Sequence, residues 1–243
     1  MLILNKEDML LAADLTEIME AIEKAHILYR EDKCYLPHRY SVNNNNKTML
    51  YMPCYANGSI GTKMLAEFPE NPPKGLPYLS GLMILNDEET GAVEAVMSGE
   101  TLTALRTGAA GGVAVRHLAH ENSRTLGLVG CGVQGLYQIM YACSVRNIEE
   151  IYLYDAFMKD FKPFIEKIES ALYDKKVSIH ICKNTEELLK NSKIVITATQ
   201  AREPLFPNDP RLLEGKCFVA IGSWQPVMRE LPDAIWKLVE NVY

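Results

Sequence analysis

The stretch LGLVGCGVQG, residues 126–135, decides the fold. An apolar run ends in three glycines, Gly130, Gly132 and Gly135. Glycines at that spacing are common, so the reading rests on what surrounds them. TLGLVG (125–130) has the character of a buried strand, and helical periodicity follows over about 133–146. A second strand-like run, IYLYD, ends in Asp155, twenty residues after Gly135. Strand, glycine turn, helix, strand and acid, in that order, form a dinucleotide-binding βαβ unit. Gly130 makes the tight turn, Gly132 lets the backbone approach a pyrophosphate, and Gly135 permits close helix–strand packing. The helix start supplies N–H groups to phosphate. Asp155 is placed to accept from ribose hydroxyls and would repel a 2′-phosphate, which favours NAD. Lys159 could reach such a phosphate, so NADP stays possible.

Further strand-like runs continue the rhythm: VSIHI (177–181), IVITAT (194–199) and CFVAIG (217–222). Helical stretches over about 159–173 and 185–191 lie between them, so 121–243 reads as a Rossmann-type parallel sheet domain. The region before it, 1–120, reads as an α+β domain. Asp14 and Glu17 resemble a capping box, followed by Ile18, Ile22, Ala25 and Tyr29 at helical spacing. Short β-rich runs come next: HRYSV, TMLYMPCY, SIGTKMLAEF, YLSGLMILN and AVEAVM. Polar or Pro/Gly segments separate them, and NNNNK (43–47) reads as a hairpin loop. The expectation is a mostly antiparallel sheet. Several of its apolar runs exceed what a small domain covers, which predicts a dimer through that sheet.

SGETLTALRTGAAGGVAVRHLA (98–119) reads as a long helix capped by Ser98 or Thr101. Gly108, Gly111 and Gly112 lie inside it, each costing about 1 kcal/mol relative to alanine. Another helix or a ligand must need that close approach.

The bulk composition bounds the function. The 243 residues are 48% hydrophobic and 23% charged, which supports a packed core. A net charge of −6 argues against nucleic acid or an anionic membrane as partner. The six cysteines form no CxxC pair and no zinc-like cluster, so no metal site is expected. No signal or membrane-spanning pattern occurs, and a soluble, cytoplasmic protein is expected.

Two cations stand out beside the glycine loop. Lys63, in GTKMLAEFPENP, lies in an apolar strand and either points into a cleft or faces solvent. Arg106, in LTALRTGAAGG, shares an otherwise apolar helix face. If buried there it needs an anion, either a substrate carboxylate or a protein carboxylate. Spacing alone assigns nothing to Arg39.

GTKMLAEFPENP, LTALRTGAAGG, GLVGCGVQG and VAIGSWQPVMREL together resemble the ornithine cyclodeaminase/mu-crystallin family over nearly the whole chain. The resemblance implies a bilobal protein whose first lobe binds substrate and dimerises. It implies that Arg39, Lys63 and Arg106 bind a substrate carboxylate. Thr107, Val133, Gln134, Asp155 and Thr199 would lie along the cofactor with Gly130, Gly132 and Gly135. The implied chemistry is hydride transfer at the α-carbon of a small amino or imino acid, as in a ketimine reductase or amino-acid dehydrogenase. The alternatives are ornithine cyclodeamination and a catalytically weak, crystallin-like binding role. Trp224 stands where cyclodeaminases have an acid/base aspartate, and neither Trp224 nor Gln225 exchanges a proton near neutrality. Lys63 then becomes the proton donor. The family also implies a longer C-terminus than this chain has, and VENVY (239–243) reads as the opening of a sixth parallel strand.

Overall fold

The computed structural model describes residues 1–239 and Val242. The chain divides into two compact units, Met1–Arg106 and Thr107–Tyr243. The division falls inside a helix, whereas sequence periodicity suggested a boundary after it, at 120/121.

The first unit is built on one sheet. Its elements are β1 (Leu2–Leu4), α1 (Lys6–Ala12), α2 (Leu15–Arg30), β2 (Cys34–Tyr35), β3 (Tyr40–Asn44), β4 (Lys47–Ala56), β5 (Ser59–Glu67), β6 (Leu79–Asp87) and β7 (Val93–Ser98). The strand order is β1-β7-β6-β5-β4-β2, with β3 also on β4. Every pairing is antiparallel except β1 with β7. β3 and β2 share the outer edge of β4, taking residues 47–51 and 55–56. Pro53, with no N–H to donate, sits in the gap between them. The NNNNK turn is a hairpin, with Asn45 in the left-handed region at φ 57°.

Two local expectations need correction. Asp14 caps α2 through bonds from Thr16 N and Glu17 N, but the reciprocal capping box belongs to α1, between Asn5 and Asp8. In α2 the residue that becomes buried is Met19, at 1% exposure, while Tyr29 of the expected stripe remains 66% exposed.

The second unit contains most of α3 (Gly99–Leu118), then β8 (Thr125–Val129), α4 (Val133–Val145), β9 (Glu150–Tyr154), α5 (Lys162–Ala171), β10 (Ser178–Ile181), α6 (Thr185–Asn191), β11 (Ile194–Thr197), α7 (Pro210–Leu213) and β12 (Cys217–Ala220). All five strands are parallel, in the order β10-β9-β8-β11-β12. Chain order reverses between β8 and β11, the topological switch point of a doubly wound sheet. Both faces are covered. Leu126, Leu128, Ile151, Leu153, Ile194 and Ile196 pack on one side with Ile139 and Phe164. Val129 and Val195 pack on the other with Leu188, Leu189 and Phe206. Burial on both faces is why these strands are continuously apolar rather than alternating. The segment read as a sixth strand includes Glu240, Asn241 and Tyr243, which lie outside the described residues.

The glycines of α3 have a packing cause. A Cβ on Gly108 would stand 2.6 Å from the Tyr141 ring, and one on Gly111 would stand 1.7 Å from Gln138 Oε1. Gln138 is fully buried, and its Nε2 donates to the Thr107 carbonyl at 2.8 Å. The close approach is therefore to α4. Gly111→Ala forces Gln138 from its place and should destabilise the fold by about 1–3 kcal/mol, the usual cost of overpacking. Equilibrium urea denaturation measures it, and an unchanged midpoint would contradict this account of α3.

Candidate functional site

The loop between β8 and α4 lies at the C-terminal edge of the parallel sheet, beside the switch point. Gly130 adopts φ +99°, and a Cβ there would lie 2.6 Å from the Ala198 carbonyl oxygen. A Cβ on Gly135 would lie 2.3 Å from the Gly130 carbonyl oxygen, so the helix start packs directly on the turn. Around Gly132 nothing lies within 4 Å of an added Cβ, which leaves the backbone approachable. Gly132 is the N-cap of α4, and no side chain caps the helix. Val133, the first helical residue, is exposed, and Gln134 follows it. The Thr107 hydroxyl is buried without a hydrogen-bond partner among the described residues. An open glycine, uncapped helical N–H groups and an orphaned hydroxyl suit a phosphate-bearing ligand.

Asp155 stands just past β9 and straps this loop. Its Oδ2 accepts from Cys131 N at 2.9 Å, and its Oδ1 accepts from Phe157 N at 2.9 Å and Met158 N at 3.0 Å. A carboxylate offers about four acceptor positions, so one remains for a further donor. Cys131, between the glycines, is buried, and burial with Asp155 nearby pushes its thiol up to about 12. It is a packing group, not a nucleophile.

The far side of the switch point holds a residue that spacing did not reveal. Glu230 is only 2% exposed. Its Oε1 accepts from Thr199 N at 2.8 Å and Thr199 Oγ1 at 2.7 Å, and its Oε2 accepts from Gly222 N at 2.8 Å. It ties together the segments that follow β11 and β12. Trp224, between them, is 47% exposed. The sequence shows only an acid between Arg229 and Leu231, and nothing in that pattern implied burial.

The first unit brings Arg39, Lys63 and Arg106 together. Lys63 is half-buried in the middle of β5, paired with Met52 on β4 and Met83 on β6. Burial, with repulsion from Arg106 and Arg39, pulls its ammonium down to about 8. Desolvation likewise lowers Arg106 from the usual arginine value, with Arg39 adding repulsion. Arg106 is nevertheless more exposed than an apolar helix face suggested, since the residue keeps over a third of its surface in solvent. Arg39, just before β3, is exposed. Among the described residues none of the three is in an ion pair. Among the described residues Arg106 has no protein carboxylate as its partner. Three cations crowded without a protein anion among the described residues are an arrangement that suits a small anion such as a carboxylate. Among the described residues no His/Cys/Asp/Glu group could hold a metal ion.

Known proteins resemble this chain along its length. The alanine dehydrogenase of Archaeoglobus fulgidus is 35% identical over 241 residues, covering 99% of this chain and 73% of that protein. The Thermococcus litoralis Δ1-pyrroline-2-carboxylate reductase, solved with NADH and L-proline, superposes with a TM-score of 0.87 at 35% identity, over 96% of this chain and 72% of that one. An archaeal alanine dehydrogenase dimer with bound NAD gives 0.86 at 34% identity, over 97% and 72%. The family profile described as ornithine cyclodeaminase/mu-crystallin matches residues 2–243. With the glycine loop and the cation cluster in place, that match over the length of the chain shows that this protein belongs to the ornithine cyclodeaminase/mu-crystallin family.

Proposed function

We propose that this chain is an NAD-linked oxidoreductase that reduces a small imino acid to the amino acid, or runs the reverse oxidation. The observation that carries the reading is the trio Arg39, Lys63 and Arg106 without a protein counter-ion. The relatives support it, one a cyclic imino acid reductase and one an alanine dehydrogenase. NADH, when bound, supplies the hydride that the imine carbon accepts. Gly130, Gly132, Val133, Gln134, Gly135 and Thr107 hold the phosphates, Asp155 the ribose, and Thr199 the edge beyond β11. Arg106 takes the substrate carboxylate through two parallel hydrogen bonds, and Arg39 adds charge. Lys63 gives its proton to the imine nitrogen as the C=N bond becomes a C–N single bond. An ammonium with a pKa of about 8 is charged at neutral pH yet gives up its proton readily. Six free cysteines and a dinucleotide cofactor fit the reducing cytoplasm. Among the described residues no helix is long and apolar enough to cross a membrane. Cyclodeamination gains no support, because Trp224 offers no acid. The direct test is NADH oxidation with five- and six-membered cyclic imino acids, and with pyruvate plus ammonium. Turnover with one of them is expected, and turnover with none at saturating cofactor would end this reading.

The titration of Lys63 has two consequences. Folded, it loses its proton near 8; unfolded, near 10.5. The unfolded chain therefore holds more protons in that window, and stability at this group rises as pH climbs from about 8 to 10.5. Imine reduction runs the other way and should fall as pH passes about 8, where the proton donor is lost. Lys63→Ala should slow reduction by about 10²–10⁴-fold and remove that limb of the pH profile. Arg106→Lys should raise the substrate KM about tenfold or more, the loss of a charge-assisted bond, with NADH affinity unchanged. Steady-state kinetics across pH decides both.

Cofactor choice follows from Asp155. NADH should bind more tightly than NADPH, and Asp155→Ser should narrow the difference while weakening both, because Cys131 N also loses its partner. Calorimetric titration reads this directly, and tighter NADPH binding by the parent chain would refute the assignment.

A homodimer through the first unit completes the proposal. Ile27, Tyr29, Tyr35, Tyr40, Val42 and Leu82 are all more than 40% exposed there, an unusual amount of apolar surface for a free monomer. Light scattering at micromolar concentration should give twice the chain mass, and a monomer mass would exclude it.

A further inference from the structure

We infer that Glu230 is a positioning residue for the nicotinamide half of the cofactor. The inference rests on the NAD reading above and goes beyond it, because it assigns a buried acid that the proposed chemistry does not use. Topology places the halves of the dinucleotide. Asp155, beyond β9, serves the adenosine ribose, and the turn after β8 serves the pyrophosphate. In a doubly wound sheet the other nucleoside then lies over the strands past the switch point, which here are β11 and β12. The segments that follow those strands are the ones Glu230 joins.

The join is specific. Thr199 Oγ1 accepts from Ala201 N at 3.2 Å, so its own proton goes to Glu230 Oε1. All three groups that meet the carboxylate are then donors, and Glu230 must be an acceptor at both oxygens. No cation pairs with it among the described residues; the neighbouring Arg229 pairs with Asp233. The spacing it holds is tight. A Cβ on Gly222 would lie 2.0 Å from the Thr199 carbonyl oxygen and 2.6 Å from Glu230 Oε1. The Thr199 methyl in turn lies 2.9 Å from where a Cβ on Gly130 would stand. Glu230 thus holds the β11 and β12 segments together and, through Thr199, against the glycine turn. It costs the fold a desolvated charge and stands directly behind the rim that the second nucleoside must cover.

Glu230→Gln keeps the shape but replaces one acceptor by a donor. With its oxygen on the two Thr199 donors, its NH2 meets Gly222 N–H, and the β12 segment is released. The probes are NADH and ADP-ribose, which lacks the nicotinamide, titrated by calorimetry into the whole chain. The variant should weaken NADH about tenfold, the cost of an unsatisfied buried donor, and leave ADP-ribose within about twofold. Equal losses for both ligands, or no loss for either, overturn the inference and leave the NAD reading standing. A parent chain that binds neither ligand overturns that reading and the inference with it. If Glu230→Gln fails to fold, Thr199→Val and Thr199→Ser carry the test. Valine, which cannot donate to Glu230, should weaken NADH relative to ADP-ribose, and serine should not. Identical ratios in the two variants overturn the inference.

Discussion

The buried amide of Gln138 is the constraint on which the rest of the second unit depends. It occupies the space a side chain at 111 would need, and it donates to the Thr107 carbonyl of the same helix. That one side chain fixes the register of α3 against α4, the helix that opens at the glycine turn. Glycines in a helix interior cost stability, and here they allow a separation of helices that no larger residue permits. Thr107, whose hydroxyl is a candidate phosphate contact, is thereby held by its own backbone. Its chain neighbour Arg106 belongs to the cation cluster of the first unit, so α3 carries residues of both units.

Charge is handled differently in the two halves. In the first unit three cations have no protein anion among the described residues, and Lys63 is pulled down chiefly by burial, with Arg106 and Arg39 adding repulsion. A carboxylate entering the proposed site would relieve the repulsion among them. In the second unit the reverse holds. Glu230 and Asp155 are anions satisfied by N–H and hydroxyl donors rather than by cations. Such bonds are directional, and they place backbone where an ion pair would only neutralise charge.

Asp155 shows how one acid serves two purposes. Three of its acceptor positions organise the polypeptide, and a fourth is left for the ribose of the proposed cofactor. Its bond to Cys131 N closes the turn between Gly130 and Gly132 before any cofactor arrives. A preorganised loop loses less entropy on binding.

Much of this protein was legible in the sequence, because the governing patterns are local. The β8–α4–β9 order, the glycine turn and the acid after β9 follow from strand and helix periods and from the backbone freedom of Gly130. The antiparallel runs of the first unit emerged nearly at their observed bounds for the same reason. The cap of α1 at Asn5 and the burial of Met19, the neighbour of Ile18, were missed. What only the tertiary structure decided are relations between residues far apart in the chain. Arg39, Lys63 and Arg106 converge because the sheet order of the first unit brings their segments together, and among the described residues no carboxylate pairs with them. Glu230 acquires its meaning from Thr199, 31 residues earlier. An acid in REL is an ordinary surface pattern until the parallel sheet sets the ends of β11 and β12 side by side, and burial then makes its hydrogen bonds obligatory.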